Sequence, residues 1–111
     1  MPLIYRRDFK MKNIVLLCNM GMSTSLIVTR MQKEAAANGW EYNIAAYPVM
    51  EASEKASDAD VILVGPQVRH ALPQIKSELP NVPSDCIDMR AYGMMDAKTI
   101  LAQARKIMGD E

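Results

Sequence analysis

The feature that most constrains the fold of this chain is a regular alternation of strand patterns and helix patterns. Two continuous apolar runs, KNIVLLC at 12–18 and VILV at 61–64, are typical of strands that are buried on both faces. Each run is followed by a segment whose apolar residues recur at helical spacing. Because successive strands separated by helices pair in parallel, the chain is expected to form a parallel sheet covered by helices.

The whole chain is predicted to follow the order β-α-β-α-β-α-β-α. The predicted fold class is α/β, with a single four-stranded parallel sheet in the order 2-1-3-4 and helices on both faces. Pro73 has to lie in the first turns of the third helix, because a proline further in would cost about 3 kcal/mol. The remaining predictions are strands at 42–47 and 85–88, a first helix that ends near Asn38-Gly39, a short helix at 51–57, helical spacing from Val68 to Leu79, a connection at 89–95, and a last helix with Asp96 as its N-cap.

The length and charge of the chain limit the classes of protein that it can be. Its 111 residues are enough for one modest core, so residues 11–111 are assigned to a single domain and residues 1–10 to an N-terminal extension. Thirteen basic residues balance thirteen acidic ones, which argues against nucleic acid or an anionic membrane surface as the main partner. No apolar stretch approaches the roughly 18 residues that a membrane-spanning helix needs, so a cytoplasmic protein is expected.

A cysteine stands where the first predicted strand meets the first predicted helix. Cys18 ends the strand, and the loop from Asn19 to Ser25 is rich in glycine and hydroxyl residues. In a parallel sheet, functional groups gather at this end of a central strand, together with the loops after the third and fourth strands, 65–67 and 89–95. Backbone N–H groups at a helix N-terminus attract anions and stabilise a thiolate. The pattern predicts a nucleophilic Cys18 in front of a phosphate-sized cradle.

The hydroxyl side chains of this loop have two predicted roles. Ser23, Thr24 and Ser25 are N-cap candidates for the helix that follows. They can also add donors to the backbone N–H groups that would hold a phosphoryl group on Cys18. The alternative, a buried and unreactive Cys18, is less favoured because this hydroxyl-rich segment follows the cysteine directly.

The other reactive residue types are given structural roles. Cys86 lies inside a short apolar strand with no anion-binding loop after it, so it is expected to pack in the core. His70, the only histidine, is expected to be solvated or to cap a helix. Neither a dinucleotide fingerprint nor a phosphate-binding P-loop motif is present. The carboxylates show no spacing for a metal site or for paired acid–base catalysis, and those interpreted as caps and strand edges are Asp58, Asp60, Asp85 and Asp88.

Low-molecular-weight tyrosine phosphatases and arsenate reductases offer one comparison, since they also place a cysteine at the end of the first strand of a similar fold. Their loop has an arginine six positions after the cysteine, and here that position is Thr24. Because the arginine stabilises the transition state of hydrolysis, a phosphocysteine without it is better suited to being handed on. Hydrolysis stays open as an alternative, as does a non-enzymatic, flavodoxin-like binding module in which Cys18 is incidental.

A set of longer stretches supports a closer comparison: CNMGMSTSL at 18–26, ADVILVGPQV at 59–68, LPQIKSELP at 72–80 and IDMRAYGMMD at 87–96. With these stretches the sequence resembles the enzyme IIB components of the lactose/cellobiose class, including diacetylchitobiose, of the bacterial sugar phosphotransferase system. The resemblance covers about residues 12–108. The family pattern C-x-x-G-M-S-T-S matches at Cys18 and at 21–25, whereas Asn19 and Met20 depart from the small residues common there.

The resemblance implies a protein-phosphocysteine–sugar phosphotransferase. Cys18 would take a phosphoryl group from a phosphohistidine of a IIA partner and pass it to a sugar held by the membrane component IIC. A β-linked disaccharide such as cellobiose or diacetylchitobiose is expected, with phosphoenolpyruvate as the ultimate donor and neither a metal nor an organic cofactor. The residues that would bind the phosphate are Asn19, Met20, Gly21, Met22, Ser23, Thr24 and Ser25.

The methionines of the loop indicate where the partners would dock. Met20 and Met22 are expected on the docking face, because flexible thioether side chains suit two partners in turn. No role follows from the sequence for Gln67, His70 or Tyr92 near the site, and the sugar and the oligomeric state stay unassigned.

Overall fold

The computed structural model describes residues 11–19 and 22–110. The predicted extension at 1–10 lies outside the described residues, as do Met20 and Gly21 of the predicted phosphate loop. The side chains of Met22 and Ser23 lie outside them as well.

The sheet has the predicted topology. All of its strands are parallel, in the order β2-β1-β3-β4, so the predicted order is confirmed. β1 pairs with strands on both sides and is central, whereas β4 is a short edge strand that begins and ends earlier than predicted. The strands are β1 (Lys12–Cys18), β2 (Tyr42–Pro48), β3 (Val61–Val64) and β4 (Ser84–Cys86).

Helices fill every connection between the strands. Pro73 lies in the first turn of its α-helix, as predicted. No helix in the described part of the chain is both long and apolar enough to cross a membrane. The α-helices are α1 (Met22–Ala37), α2 (Ala52–Lys55), α3 (Leu72–Glu78), α4 (Met89–Gly93) and α5 (Ala97–Met108), and 3-10 turns at Val49–Glu51 and Pro66–Ala71 precede α2 and α3.

The segment predicted as a connection at 89–95 contains the short helix α4. Asp88 causes this difference, because its Oδ2 accepts a hydrogen bond from the Ala91 N–H at 2.9 Å and so caps the first turn. The predicted N-cap of α5 is confirmed, since Asp96 Oδ1 accepts from the Thr99 N–H at 3.2 Å. The stop signal of α1 also holds, because Gly39 takes a φ of 73° that favours glycine.

Alternate residues of the central strand supply two separate cores. Ile14 and Leu16 pack with α1 and α5 on one face of the sheet, whereas Val15 and Leu17 pack with α2 and α3 on the other. Because both faces are covered, the continuous apolar runs of β1 and β3 are fully explained. Cys18 follows Ile14 and Leu16 in the alternation, so its side chain belongs to the face of α1 and α5.

A polar cluster, here called the amino-edge clasp, closes the end of the sheet where the strands begin. Its members are Lys12, Trp40, Tyr42, Arg105 and Asp110. The Arg105 guanidinium lies 3.8 Å from the centre of the Trp40 ring and donates to the Tyr42 hydroxyl at 3.0 Å. Lys12 Nζ and the Tyr42 hydroxyl both donate to the Asp110 carboxylate, and the hydrogen bond from Lys12 lowers the pKa of Asp110. The clasp thereby joins the first strand to the segment that follows α5.

Candidate functional site

Cys18 ends the central strand and faces the N-terminal turn of α1. Only 2% of its surface is exposed. α1 begins at Met22, so its first N–H groups, which have no partner inside the helix, start a few residues after the sulfur. The helix is 16 residues long, so its N-terminal end carries the partial positive charge of a helix dipole. An anion placed against a helix N-terminus of this kind is generally favoured.

Thr24, in the predicted loop, contacts the cysteine. Its side chain is 1% exposed, and its Oγ1 lies 3.3 Å from Cys18 Sγ. The same hydroxyl oxygen lies 3.0 Å from the hydroxyl of Tyr92, on α4. The sequence offered no role for Tyr92, and this contact joins residues that are 68 positions apart. A continuous chain of polar atoms thus runs from the sulfur through Thr24 to Tyr92.

The prediction that Ser23, Thr24 and Ser25 are N-cap residues is wrong. α1 begins at Met22, so all three lie inside its first turn and not before it. Their backbone N–H groups still belong to the positive end of the helix. Ser25 and Asn19 are exposed, whereas Thr24 is buried, so the hydroxyl residues of this turn face different surroundings.

The loop that follows β3 also approaches Cys18, at Gly65. Its N–H donates to the Leu17 carbonyl at 2.8 Å, which continues the pairing of β3 with β1. A Cβ atom added to Gly65 would lie 3.2 Å from the Cβ of Cys18 and 3.6 Å from Gln67 Oε1. The backbone of Gly65 has a φ of −61° that any residue adopts, so the glycine is required for space. The predicted convergence of the loop at 65–67 on Cys18 is confirmed.

A groove of about 510 Å³ lies between the segments that follow β3 and β4. Tyr92 belongs both to this groove and to the hydrogen-bonded chain that leads to Cys18. His70 is exposed, in agreement with its predicted solvation. The groove is lined by Pro66, Gln67, Arg69, His70, Met89, Tyr92 and Gly93.

Cys86 was predicted to lie inside a strand and pack in the core, but it ends the edge strand β4 and belongs to neither core cluster. It is half-buried, and its Sγ lies 3.6 Å from the carbonyl oxygen of the next residue, Ile87. Burial and the nearby Asp85 carboxylate raise the pKa of the Cys86 thiol, although Arg69 opposes them. Neither cysteine is part of a disulfide, and strand β3 separates the strands that carry them.

Two of the carboxylates that were predicted to be caps or strand-edge residues have such roles. Asp60 Oδ2 accepts the Asn13 N–H at 2.6 Å at the start of β1, and Asp88 caps α4. Among residues 11–19 and 22–110, no group of three or more histidine, cysteine or carboxylate side chains could hold a metal ion.

Known proteins share this sequence and this fold. A family model described as "PTS system, Lactose/Cellobiose specific IIB subunit" matches residues 13–103. Two curated relatives are 43% identical over 104 residues, covering 87% of this chain and 96% of the relative. They are the galactose-specific EIIB component of Lactococcus lactis subsp. cremoris (strain MG1363) and the cellobiose-specific EIIB component of Lactococcus lactis subsp. lactis (strain IL1403).

A solved structure extends the similarity to three dimensions. The cellobiose-specific phosphotransferase IIB component from Borrelia burgdorferi superposes with a TM-score of 0.76 at 29% identity, over 91% of this chain and 94% of that chain. The shared architecture is the flavodoxin-like fold that low-molecular-weight tyrosine phosphatases also adopt. The family match and the relatives together show that this chain belongs to the lactose/cellobiose-specific IIB family of the sugar phosphotransferase system, whose components serve phosphoryl transfer to sugars.

Proposed function

We propose that Cys18 carries a phosphoryl group from a phosphohistidine of a IIA partner to a sugar bound by the membrane component IIC. One observation supports this proposal above all: the Cys18 sulfur ends the central strand, at the N-terminal turn of a 16-residue helix, with the Thr24 hydroxyl 3.3 Å away. A thiol in such a position can become a nucleophile and then hold an anion. The backbone N–H groups of the loop at 19–25 would bind the phosphoryl oxygens.

The transfer consists of two displacements at phosphorus. In the first, the Cys18 thiolate attacks the phosphohistidine, the S–P bond forms, the N–P bond breaks, and the imidazole nitrogen takes the bonding pair and a proton. In the second, a sugar hydroxyl attacks the phosphocysteine, the O–P bond forms, the S–P bond breaks, the hydroxyl releases its proton, and sulfur leaves as a thiolate that recovers a proton. The end of α1 stabilises the charge on the phosphoryl oxygens in both steps and the charge that develops on sulfur in the second.

The alternative function is hydrolysis of a phosphate ester, as in low-molecular-weight phosphatases. The position that carries their arginine is Thr24, whose buried side chain contacts Cys18 and Tyr92. The loop at 19–25 contains no arginine in its sequence. A phosphocysteine here therefore lacks the guanidinium that would favour attack by water, which supports transfer over hydrolysis.

The exposed apolar side chains at the site support docking by two partners in succession. Met50 follows β2 and is 86% exposed. The other exposed apolar side chains are Met89, which begins α4, Met94, which follows it, and Leu26 in α1. Thioether side chains adapt to surfaces of different shape, which suits a IIA protein and a IIC protein that must use the same thiol. The predicted docking residues Met20 and Met22 would extend this surface.

For the sugar, we propose a β-linked disaccharide such as cellobiose or diacetylchitobiose. Relatives of equal identity are named for galactose and for cellobiose, so the sugar is expected to be selected mainly by IIC. The protein would then be a cytoplasmic protein-phosphocysteine–sugar phosphotransferase. Its IIB domain would be residues 11–111, and a form that begins at Met11 should accept the same phosphoryl group.

The test is intact-mass analysis after incubation with phosphoenolpyruvate, the general phosphotransfer proteins and a IIA protein of this class. The wild type should gain one phosphoryl group, Cys86→Ser should gain the same group, and Cys18→Ser should gain none. Label on Cys18→Ser would overturn the proposal. Steady turnover of a generic phosphate ester by the wild type would instead favour the hydrolase alternative.

A further inference from the structure

The side chains of Cys18, Thr24 and Tyr92 are buried and form a hydrogen-bonded chain from the Cys18 sulfur to a residue that lines the groove. Cys18, Thr24 and Tyr92 are 2%, 1% and 8% exposed. The distances between successive polar atoms are 3.3 Å and 3.0 Å, both within hydrogen-bonding range. Tyr92 lines the groove, so the last residue of this chain borders the groove although the sulfur itself is buried.

We propose that the hydroxyl groups of Thr24 and Tyr92 form a proton path between the Cys18 sulfur and the groove, and that both act as positioning residues for phosphoryl transfer. The catalytic part of this inference rests on the proposed function of Cys18. The proton path itself is a property of this chain alone and can be tested without any partner.

The geometry permits proton movement in the outward direction. The thiol donates to Thr24 Oγ1, and the Thr24 hydroxyl can donate to Tyr92, whose own hydroxyl proton can pass to water in the groove. Each oxygen gives up one proton as it receives another, so the net result is a thiolate at Cys18 and one proton in the groove. The thiolate then attacks the phosphohistidine, whose nitrogen takes up one proton as the N–P bond breaks.

The reverse direction serves the second displacement. Either hydroxyl of the Thr24–Tyr92 pair can be the donor, and the outward transfer leaves Tyr92 as the donor to Thr24, which is the order that the return of a proton requires. Tyr92 then donates to Thr24 and Thr24 donates to the departing thiolate. The proton that the sugar hydroxyl releases balances the proton that Cys18 recovers.

Other charged groups near the groove could also change a pH profile, so their contributions have to be distinguished from that of the proton path. Arg69 and His70 line the groove from the segment after β3, and Asp88 and Arg90 precede Tyr92 on its own segment. The carboxylate of Asp88 is engaged by the Ala91 N–H. An imidazole is the side-chain type whose charge ordinarily changes between pH 5 and 8, so His70→Gln is needed as a background in any pH profile.

The first experiment measures thiolate absorbance in the ultraviolet against pH, in a protein that carries Cys86→Ser and His70→Gln. Adding Tyr92→Phe should move the appearance of the thiolate to higher pH, because the thiolate loses the donor that orients Thr24. Tyr47→Phe is the matched control, since it removes a tyrosine hydroxyl that lies outside the chain of hydrogen bonds. An unchanged profile for Tyr92→Phe would overturn the inference.

The second experiment measures single-turnover transfer from phosphorylated IIA and compares three variants. Tyr92→Phe should slow transfer about tenfold, which corresponds to the loss of one hydrogen bond to a charged group. Thr24→Val should slow transfer at least as much, and Thr24→Ser, which keeps the hydroxyl, should retain most of the wild-type rate. If Thr24→Val and Thr24→Ser transfer at equal rates, the hydroxyl has no role and the proposal fails.

The two proposals fail in different ways. If Cys18→Ser is still phosphorylated, the proposed function fails, while the thiolate profile of Tyr92→Phe still decides whether Tyr92 acts through Thr24 on the thiolate, a link without which no path exists. If Cys18 is the phosphorylated residue but Tyr92→Phe transfers like the wild type, only the proton path is lost. Circular dichroism melting shows whether each variant is folded, and the serine variant at Thr24 covers the case in which the valine variant is not.

Discussion

The two cysteines of this protein end parallel strands at the same edge of one sheet, yet their surroundings differ in every respect that controls thiol chemistry. Cys18 ends the central strand, is 2% exposed and faces a helix of 16 residues. Cys86 ends an edge strand, is half-buried, and is followed by a helix of five residues. The sulfur of Cys18 contacts a hydroxyl group, whereas that of Cys86 lies near a backbone carbonyl.

A cysteine at a strand end is not made a nucleophile by that position alone. What distinguishes Cys18 is the segment that follows it, which brings a helix N-terminus and a buried hydroxyl to the sulfur. At Cys86, burial and the Asp85 carboxylate raise the pKa and keep the thiol protonated at neutral pH. We therefore expect substitutions around Cys18 to change phosphoryl transfer and those around Cys86 to change mainly stability or slow side reactions.

The largest effect is expected from a charge placed beside Cys18. Thr24→Asp would bury a carboxylate next to the sulfur, at a cost of several kcal/mol, and should unfold the protein or abolish its phosphorylation. Ser25→Asp, one residue on, is exposed at a helix N-terminus and should fold normally, because an anion is tolerated there. Thermal melting and intact-mass analysis of both variants measure the difference, and equal stability of the two would contradict the described environment of Thr24.

A smaller effect is expected from substitution of Gly65, which lies beside Cys18, and the control is Gly93, at the end of α4. Gly65→Ala places a methyl group 3.2 Å from the Cys18 Cβ, so the cysteine or the loop has to shift. We expect transfer from IIA to slow about tenfold, since small misplacements of a reacting atom are costly. Gly93→Ala in α4 has nothing within 4 Å of the added atom and should melt at or slightly above the wild-type temperature. Wild-type transfer kinetics for Gly65→Ala would show that the site tolerates the shift.

The reactivity of Cys86 should follow its electrostatic surroundings. With Cys18→Ser as the background, alkylation by iodoacetamide should be slow at neutral pH and should accelerate as the pH rises toward the raised pKa of Cys86. Asp85→Asn removes a cause of that raised pKa and should speed alkylation about twofold at a fixed pH. Arg69→Gln should slow alkylation of Cys86, because Arg69 lowers the pKa of this thiol. If both variants changed the alkylation rate in the same direction, this explanation would be refuted.

The smallest effect is expected at the start of the strand that carries Cys86. Ser84 is 8% exposed, and its Oγ has no hydrogen-bond partner within the described ranges. Because a buried hydroxyl without a partner costs free energy, Ser84→Ala should raise the free energy of unfolding by about 1 kcal/mol or less. Ser57→Ala, at an exposed turn, is the control and should leave it unchanged. A loss of stability in Ser84→Ala would indicate a partner that the described contacts do not include.

Much of the fold could be predicted because its signals are local. The apolar runs of β1 and β3 are explained by burial on both faces, and the period of two residues along β1 determines which side Cys18 faces. The sheet order, the position of Pro73 and the cap at Asp96 followed from the same kind of pattern and are confirmed.

The parts that could not be predicted depend on packing between distant segments. α4 was expected to be a connection, although Asp88 three residues before Ala91 was a usable capping signal. The contact between Thr24 and Tyr92 had no local signal, because it exists only when α4 packs beside the first turn of α1. The start of α1 was predicted too late for a similar reason, since several hydroxyl residues in a row make the first helical residue ambiguous.

The amino-edge clasp has a practical consequence for how this protein can be handled. Lys12 and Cys18 are the two ends of β1, so the clasp and the thiol are separated by about 20 Å of strand. The clasp brings Lys12 and Asp110 together at the far pole. A surface linkage, a fluorophore or a flexible tether could be attached beside that pole, at the end of the domain opposite the thiol. The thiol edge would then stay open to one partner after another, which makes this pole the place to anchor the protein for single-molecule or biosensor measurements.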